Sequence, residues 1–198
     1  MKKIIAVTGH YGVGKTYVAA GLAKKLVRTG MPVTIVDLDI VNPYFRTADA
    51  RTSLEKIGVK VIAPLYAGTN LDIPAINFGF EEIISGGISH GGYVIIDVGG
   101  DDSGALALGR YKTVLDGYAD ELSLLYVINC YRFLTLTPED AVNYLREIEL
   151  ASRLKVTGIV NNSNLGSETA AADIENSAAF ARKVSELTGL PIVENVFL

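Results

Sequence analysis

Short apolar runs alternate along the chain with longer segments whose apolar residues recur at helical spacing. Most of the short runs are apolar at every position, which is typical of strands in a parallel sheet with helices on both faces. The predicted strands span residues 3–8, 33–37, 59–63, 93–98, 124–129, 156–161 and 192–197, and the predicted helices span residues 15–29, 48–57, 73–84, 105–118, 138–152 and 170–188. This order predicts one doubly wound α/β domain over residues 1–198, with a mainly parallel sheet of about seven strands.

The composition excludes several classes of protein. Of the 198 residues 49% are hydrophobic and 20% are charged, and the formal net charge is −4 with a mean hydropathy of +0.30. Disordered chains are less hydrophobic and more highly charged, and sequence-independent nucleic-acid binders carry clustered Lys and Arg. No apolar run approaches the roughly 20 residues that a membrane-spanning helix needs. We therefore expect no membrane partner and no nucleic-acid partner.

Cysteine usage bears on the cellular compartment. The chain has one cysteine, Cys130, so it has neither a disulfide framework nor a C-x-x-C pair. A reducing, cytoplasmic location is the expectation. This thiol could ligate a metal only across a dimer, and a small core residue is the more usual role of a free cysteine.

One glycine-rich segment has the sequence of a phosphate-binding loop. Residues 9–16 read GHYGVGKT, a full match to G-x-x-x-x-G-K-[ST] between a predicted strand and a predicted helix. The glycines allow backbone N–H groups to turn toward phosphate oxygens, and the start of the helix favours the same anion. Lys15 is expected to reach the β- and γ-phosphates, and the Thr16 hydroxyl to bind Mg²⁺. The expected nucleotide-binding residues of this segment are Gly9, Tyr11, Gly12, Val13, Gly14, Lys15, Thr16 and Tyr17.

An acidic residue ends the apolar run at 93–97. This residue, Asp97, is followed by Gly100 in a D-x-x-G pattern. Because the carboxyl ends of parallel strands meet at one edge of a sheet, Asp97 should lie beside the phosphate loop. We expect Asp97 to hold Mg²⁺ through a water molecule and the Gly100 amide to sense a γ-phosphate oxygen.

A second acidic pair follows the run at 33–37. Asp37 and Asp39 lie two residues apart, so they share one face of the extended chain. Asp39 is a candidate Mg²⁺ ligand at the same edge. The alternative for all these acids is that they cap the helices that follow them, which is the expected role of Asp101 and Asp102.

Five segments together resemble the ParA/MinD-type P-loop ATPases, a family that includes the nitrogenase iron protein and iron–sulfur scaffold ATPases. They read GHYGVGKT at 9–16, VDLDIVNP at 36–43, IIDVGG at 95–100, TGIVNNSN at 157–164 and TGLPIVENVFL at 188–198, in the family's order. The resemblance implies that Asp39 orients the attacking water and that Asn162, rather than Asn161, contacts the nucleotide base. It also implies ATP or ADP with Mg²⁺, and ATP is favoured over GTP because the sequence lacks the N-K-x-D motif of G proteins.

One position departs from the family's pattern. The family carries a signature lysine directly after the first glycine of the loop, where this chain has His10. In the family that lysine reaches the nucleotide of the partner subunit, so a homodimer is possible here but not implied. We expect His10 to face solvent rather than to contact phosphate. Residues 41–46 would form the first switch loop, either packing under the next helix or contacting a partner.

These expectations favour an ATP-hydrolysing molecular switch that acts on an unidentified protein partner, with loops at 39–46 and 97–103 that change with nucleotide state. Two other classes stay open. One is a small-molecule kinase or ATP-dependent ligase resembling dethiobiotin synthetase, although Asp37-Leu38-Asp39 stands where such enzymes commonly carry Lys-Pro. The other is a module that senses nucleotide without hydrolysing it.

Overall fold

The computed structural model describes residues 1–39, 48–62, 79–100 and 102–196. The strands are β1 (Ile4–Gly9), β2 (Val33–Asp37), β3 (Val59–Ile62), β4 (Tyr93–Asp97), β5 (Leu122–Ile128), β6 (Gly158–Asn161) and β7 (Ile192–Asn195). The helices are α1 (Lys15–Val27), α2 (Ala48–Lys56), α3 (Phe80–Ile88), α4 (Asp102–Arg110), α5 (Lys112–Asp116), α6 (Pro138–Ser152) and α7 (Ala171–Thr188). Apart from the successive helices α4 and α5, strands and helices alternate along the described parts of the chain, as the apolar pattern predicts.

The seven strands form one sheet in the order β3-β2-β4-β1-β5-β6-β7. Every strand pair is parallel, which confirms the predicted fold class. β1 therefore lies at the centre of the sheet, with β4 and β5 as its neighbours and β2 beyond β4. The carboxyl ends of β1, β4 and β2 consequently lie side by side, and this arrangement brings the phosphate loop and the acidic strand ends together.

The apolar runs are buried because the sheet is covered on both faces. Ile4 and Ala6 of β1 belong to a core shared with α3 to α7, whereas Ile5 and Val7 belong to a second core shared with α1 and α2. All residues of β1 and β2 are buried, so these strands need apolar residues at nearly every position rather than at alternate ones. In the described ranges no helix is long and apolar enough to cross a membrane.

Two of the predicted helices differ from the structure. The helix predicted over 73–84 begins at Phe80 and runs to Ile88, and residues 73–78 lie outside the described residues. The helix predicted over 105–118 is divided at Tyr111 into α4 and α5. The division has a tertiary cause, because Arg153 Nη2 donates to the carbonyl of Gly109 (2.6 Å) and the Tyr111 ring stacks on Phe80 with centroids 4.0 Å apart.

The expected capping acids and the first switch loop are described only in part. Asp102 is the first residue of α4, where its negative charge interacts favourably with the positive end of the helix dipole. Asp101 and the switch segment 41–46 lie outside the described residues.

Candidate functional site

The phosphate loop joins the central strand β1 to α1. Gly9, Gly12 and Gly14 all take positive φ angles, at 151°, 78° and 89°. Gly14 precedes α1 directly in a left-handed conformation, and no described side chain caps its N-terminal turn. The positive end of the α1 dipole therefore lies at the phosphate loop, where it favours an anion.

Lys15 lies across this loop. Its side chain is 7% exposed, and Nζ donates to the carbonyl of His10 at 3.0 Å. Gly100 lies against the same two groups: a Cβ at Gly100 would collide with Lys15 Nζ and would approach Tyr11 Cα to 2.8 Å. The chain after β4 thus touches both the lysine and the backbone of the phosphate loop, and only glycine fits this position.

Two buried aspartates lie opposite each other at the ends of β2 and β4. Asp37 pairs in register with Asp97, and the two residues are 0% and 1% exposed. Asp37 Oδ1 accepts a hydrogen bond from the Asp39 amide at 2.9 Å, which fixes the turn after β2. Asp39 itself is half-buried, and its Oδ1 lies 3.4 Å from the position of a Cβ at Gly99. The structure therefore brings the three carboxylates to one edge of the sheet.

Asp97 is a strongly perturbed acid at this edge. Burial raises the pKa of its carboxyl to about 7, against the opposing effects of the nearby Thr16 hydroxyl and Lys15 ammonium. The carboxylates of Asp37 and Asp39 add to the rise, because neighbouring like charges disfavour ionisation. Neither carboxylate oxygen of Asp97 has a hydrogen-bond partner among the described residues. A buried group in this state is costly unless something further binds it.

The Asp97 oxygens test whether Mg²⁺ fits this edge. A hard divalent cation prefers oxygen ligands, and it would complete the coordination of a carboxylate that the described part of the protein leaves without partners. Thr16 contributes a hydroxyl beside it. Within the described ranges no group of three or more His, Cys, Asp or Glu residues is placed to hold a metal by itself. These residues therefore fit an ion that takes its remaining ligands from water and phosphate.

Asn161 is the last residue of the strand β6, Asn162 follows it, and both are buried. Asn162 Nδ2 donates to the carbonyl of Val13 at 2.8 Å, which attaches the end of β6 to the phosphate loop. Asn161 points elsewhere: its Nδ2 donates to Asn195 Oδ1 at 3.1 Å and to the Ser177 carbonyl at 3.3 Å. The two neighbours thus have different surroundings, and only Asn162 contacts the loop. A base contact by Asn162 stays a prediction.

His10 does not simply face solvent. The residue is half-buried, and its ring meets the edge of Tyr144 on α6 with centroids 4.2 Å apart. Nδ1 lies 3.1 Å from the carbonyl oxygen of Tyr11. A carbonyl can only accept, so this contact is a hydrogen bond in the tautomer that carries the proton on Nδ1. The expectation of a solvent-facing histidine is therefore wrong in part, because α6 supplies an aromatic neighbour that no local sequence pattern predicts. Tyr11 and Tyr17, at 62% and 51% exposure, remain on the surface around the loop.

Comparison with known proteins agrees with this geometry. The family model that matches is ParA, described as NUBPL iron-transfer P-loop NTPase, and it covers residues 1–86. That range includes the phosphate loop, β2 and the acidic pair that ends and follows it, and most of α3. A search of curated proteins finds no match to this chain.

Solved structures resemble the chain over nearly its whole length at low identity. FtsY from Mycoplasma mycoides is 19% identical with a TM-score of 0.62, and the match covers 97% of this chain and 59% of that one. The signal recognition particle receptor FtsY from Elizabethkingia anophelis in complex with GDP is 21% identical with a TM-score of 0.62, covering 97% and 56%. A nucleotide-binding protein from Archaeoglobus fulgidus in complex with ADP is 16% identical with a TM-score of 0.53, covering 100% and 82%.

These likenesses support the fold, not a shared activity. The chain spans less than 60% of the length of the two FtsY proteins. The fold is that of P-loop NTPases, and over residues 1–86 the chain resembles the ParA family.

Proposed function

We propose that this chain is a Mg²⁺-dependent switch that binds and hydrolyses ATP in the manner of the ParA/MinD-type family. The observation that carries the proposal is the buried carboxylate of Asp97, whose two oxygens lack partners among the described residues next to Lys15 and Thr16 of the phosphate loop. In a glycine-rich turn without a ligand, nothing would offset the cost of burying a carboxylate that has no hydrogen-bond partner. A nucleotide with its metal ion would compensate the cost.

Lys15 and the loop backbone would hold the phosphates. The ammonium of Lys15 is already held within the loop by the His10 carbonyl, 3.0 Å away. It would exchange this neutral acceptor for β- and γ-phosphate oxygens, which bind a cation more strongly. The N–H groups at the start of α1 add the helix dipole to the same charge. Binding therefore needs little rearrangement of the loop.

Thr16 and Asp97 would hold Mg²⁺, which supplies charge neutralisation between the β- and γ-phosphates. Asp39 would orient the water whose oxygen attacks the γ-phosphorus, while the bond from that phosphorus to the bridging oxygen breaks to leave ADP and inorganic phosphate. The hydrogen bond from the Asp39 amide to Asp37 would hold Asp39 in place. Gly100 touches Lys15 and the loop, so a γ-phosphate there would be sensed by the chain that follows β4.

We propose ATP as the nucleotide because the sequence lacks the N-K-x-D motif that reads guanine. Similar folds hold either nucleotide, since the FtsY structure from Elizabethkingia anophelis contains GDP and the Archaeoglobus fulgidus protein contains ADP. Competition between ATP and GTP for the protein tests this choice. If the adenine is read, GTP should displace ATP only at a large excess, whereas equal competition would assign the site to phosphate recognition alone.

The switch would act on a protein partner in the cytoplasm, alone or as a homodimer. We do not extend this function to the iron transfer named in the description of the family model. The chain has a single cysteine, Cys130, and iron–sulfur clusters are held by several thiolates. Light scattering tests the homodimer, because it should show a dimer once ATP is added.

Phosphate release from ATP tests the proposed activity. Lys15→Ala should abolish nucleotide binding, because it removes the cation that faces the phosphates. Asp39→Asn should retain binding and lose roughly a hundredfold in turnover, the usual contribution of a group that activates water. Lys24→Ala, an exposed lysine at the other end of α1, is the matched control and should behave as wild type.

Three results would contradict hydrolysis by this site. Turnover that appears only when a small molecule accepts the phosphate would make the protein a kinase or ligase. Tight ATP binding with no phosphate release, with or without candidate partners, would make it a nucleotide sensor. Wild-type hydrolysis that survives Lys15→Ala would place the activity elsewhere.

A further inference from the structure

The side chain of Asn162 is joined to the phosphate loop across 149 residues of sequence. It is 4% exposed, and its Nδ2 donates to the carbonyl of Val13 at 2.8 Å. Its Oδ1 accepts from Asn164 Nδ2 at 3.2 Å, and its backbone amide donates to the carbonyl of Ile128 at 2.9 Å. Both ends of the side-chain amide are therefore bound by protein, and the residue is fixed to the central sheet through β5.

Gly14 provides a second and independent sign of this attachment. A Cβ at Gly14 would overlap Asn162 Nδ2 well inside van der Waals contact. The φ of +89° at Gly14 already favours glycine, but Gly12, with a φ of +78°, has nothing within 4 Å of a Cβ. The amide of Asn162 thus occupies the space that the missing side chain of Gly14 leaves.

We propose that Asn162 is a positioning residue that sets the direction of the Gly14 amide in the phosphate loop. The carbonyl of Val13 and the N–H of Gly14 belong to one trans peptide unit, so they point in opposite directions. Asn162 holds the carbonyl toward itself and thereby directs the N–H of Gly14 to the other side of the loop. This inference rests on the proposed function, because it takes the other side of the loop as the phosphate side.

This role differs from reading the base. The Val13 carbonyl uses only one of the two N–H groups on Asn162 Nδ2, so the two roles are separated by the ligands that they affect. A residue that orients the loop affects every phosphate ligand by a similar factor, whether or not the ligand has a base. A residue that reads adenine affects ATP and leaves inorganic tripolyphosphate unchanged.

The test compares the affinities of ATP, GTP and tripolyphosphate, each with Mg²⁺, for wild type and Asn162→Ala by calorimetry. We expect all three to weaken by about tenfold, the effect of one buried hydrogen bond whose acceptor is left unsatisfied. Asn161→Ala is the matched control, since it removes an equally buried amide that does not touch the loop. Its tripolyphosphate affinity should stay within about twofold of wild type. Loss of ATP affinity alone in Asn162→Ala would overturn the proposal.

A second measurement needs no ligand. Hydrogen exchange of the amides of residues 13–16 in the nucleotide-free protein should speed up in Asn162→Ala and stay unchanged in Asn161→Ala. Asn162→Asp keeps the shape of the side chain but presents an oxygen to the Val13 carbonyl, so it should speed exchange even where the alanine variant does not fold. Unchanged exchange in Asn162→Asp would overturn the proposal. If wild type binds none of the three ligands, the proposed function fails, and the exchange rates still decide the role of Asn162.

Discussion

Replacing Asp97 by asparagine should stabilise the nucleotide-free protein at high pH while it damages the site. The pKa of this buried carboxyl rises from 3.8 to about 7 on folding. The unfolded chain therefore loses its proton near pH 4, whereas the folded protein keeps it until near pH 7. Since the folded state binds more protons in that window, stability falls as the pH rises through it and levels off above pH 7.

The size of this effect follows from the shift. A rise of about three pKa units corresponds to about 4 kcal/mol of lost stability once Asp97 is ionised, at about 1.4 kcal/mol per unit. Asparagine removes that cost but leaves a buried amide without good partners, at about 1–3 kcal/mol. We expect Asp97→Asn to gain about 1–3 kcal/mol over wild type at pH 8, or about 2–12 °C in Tm for a chain of this length.

Urea unfolding of the nucleotide-free protein in EDTA at pH 5, 6, 7 and 8 measures this gain. The advantage of Asp97→Asn should shrink steadily toward pH 5, because the wild-type carboxyl is then protonated in the folded state. Asp120→Asn, at an exposed position outside the site, should show no such trend. A variant that is less stable than wild type by the same amount at every pH would mean that Asp97 ionises without cost, contrary to this expectation.

Three further changes test the site and the core that supports it. Gly100→Ala should weaken Mg²⁺–ATP binding more than tenfold, because a Cβ there collides with Lys15 Nζ. Gly86→Ala, with nothing within 4 Å of its Cβ, should bind as wild type. Equal affinities of the two variants in calorimetry would contradict the contact. Tyr126→Phe should cost about 1–2 kcal/mol in urea unfolding, because the buried hydroxyl donates to the Ala141 carbonyl at 2.8 Å; an unchanged midpoint would show that this bond contributes nothing. Thr137→Ala should cost about 1 kcal/mol, since Thr137 and Asp140 form a capping box at the start of α6; Thr113→Ala, on the short helix α5, serves as its control in the same measurement.

The parts of the candidate site that lie within one continuous segment could be predicted from the sequence. The phosphate loop is one continuous motif, and the Asp97 strand is one apolar run with an acid at its end, so both could be found without knowledge of the fold. Their meeting at one edge follows from the parallel sheet, because β1 and β4 pair directly. The two cores beneath them follow from the alternation of buried residues along β1.

Contacts between distant segments could not be predicted in this way. The hydrogen bond of Asn162 to Val13 joins positions 149 residues apart, and no spacing rule connects them. The end of α4 depends on Arg153, which lies 44 residues away and caps the carbonyl of Gly109. His10 is covered by Tyr144 of α6. In each case local propensity allows several outcomes, and a side chain from another element decides among them.

The proposed site can be tested by a crystal structure with Mg²⁺ and a non-hydrolysable ATP analogue. We expect the β-phosphate within the loop 9–16, Lys15 Nζ on phosphate oxygens, and Mg²⁺ held on the side of Thr16 and Asp97. We also expect Asn162 still to donate to the Val13 carbonyl when the nucleotide is bound. A nucleotide bound away from this edge, or a loop that stays empty at saturating Mg²⁺ and analogue, would contradict the proposed function.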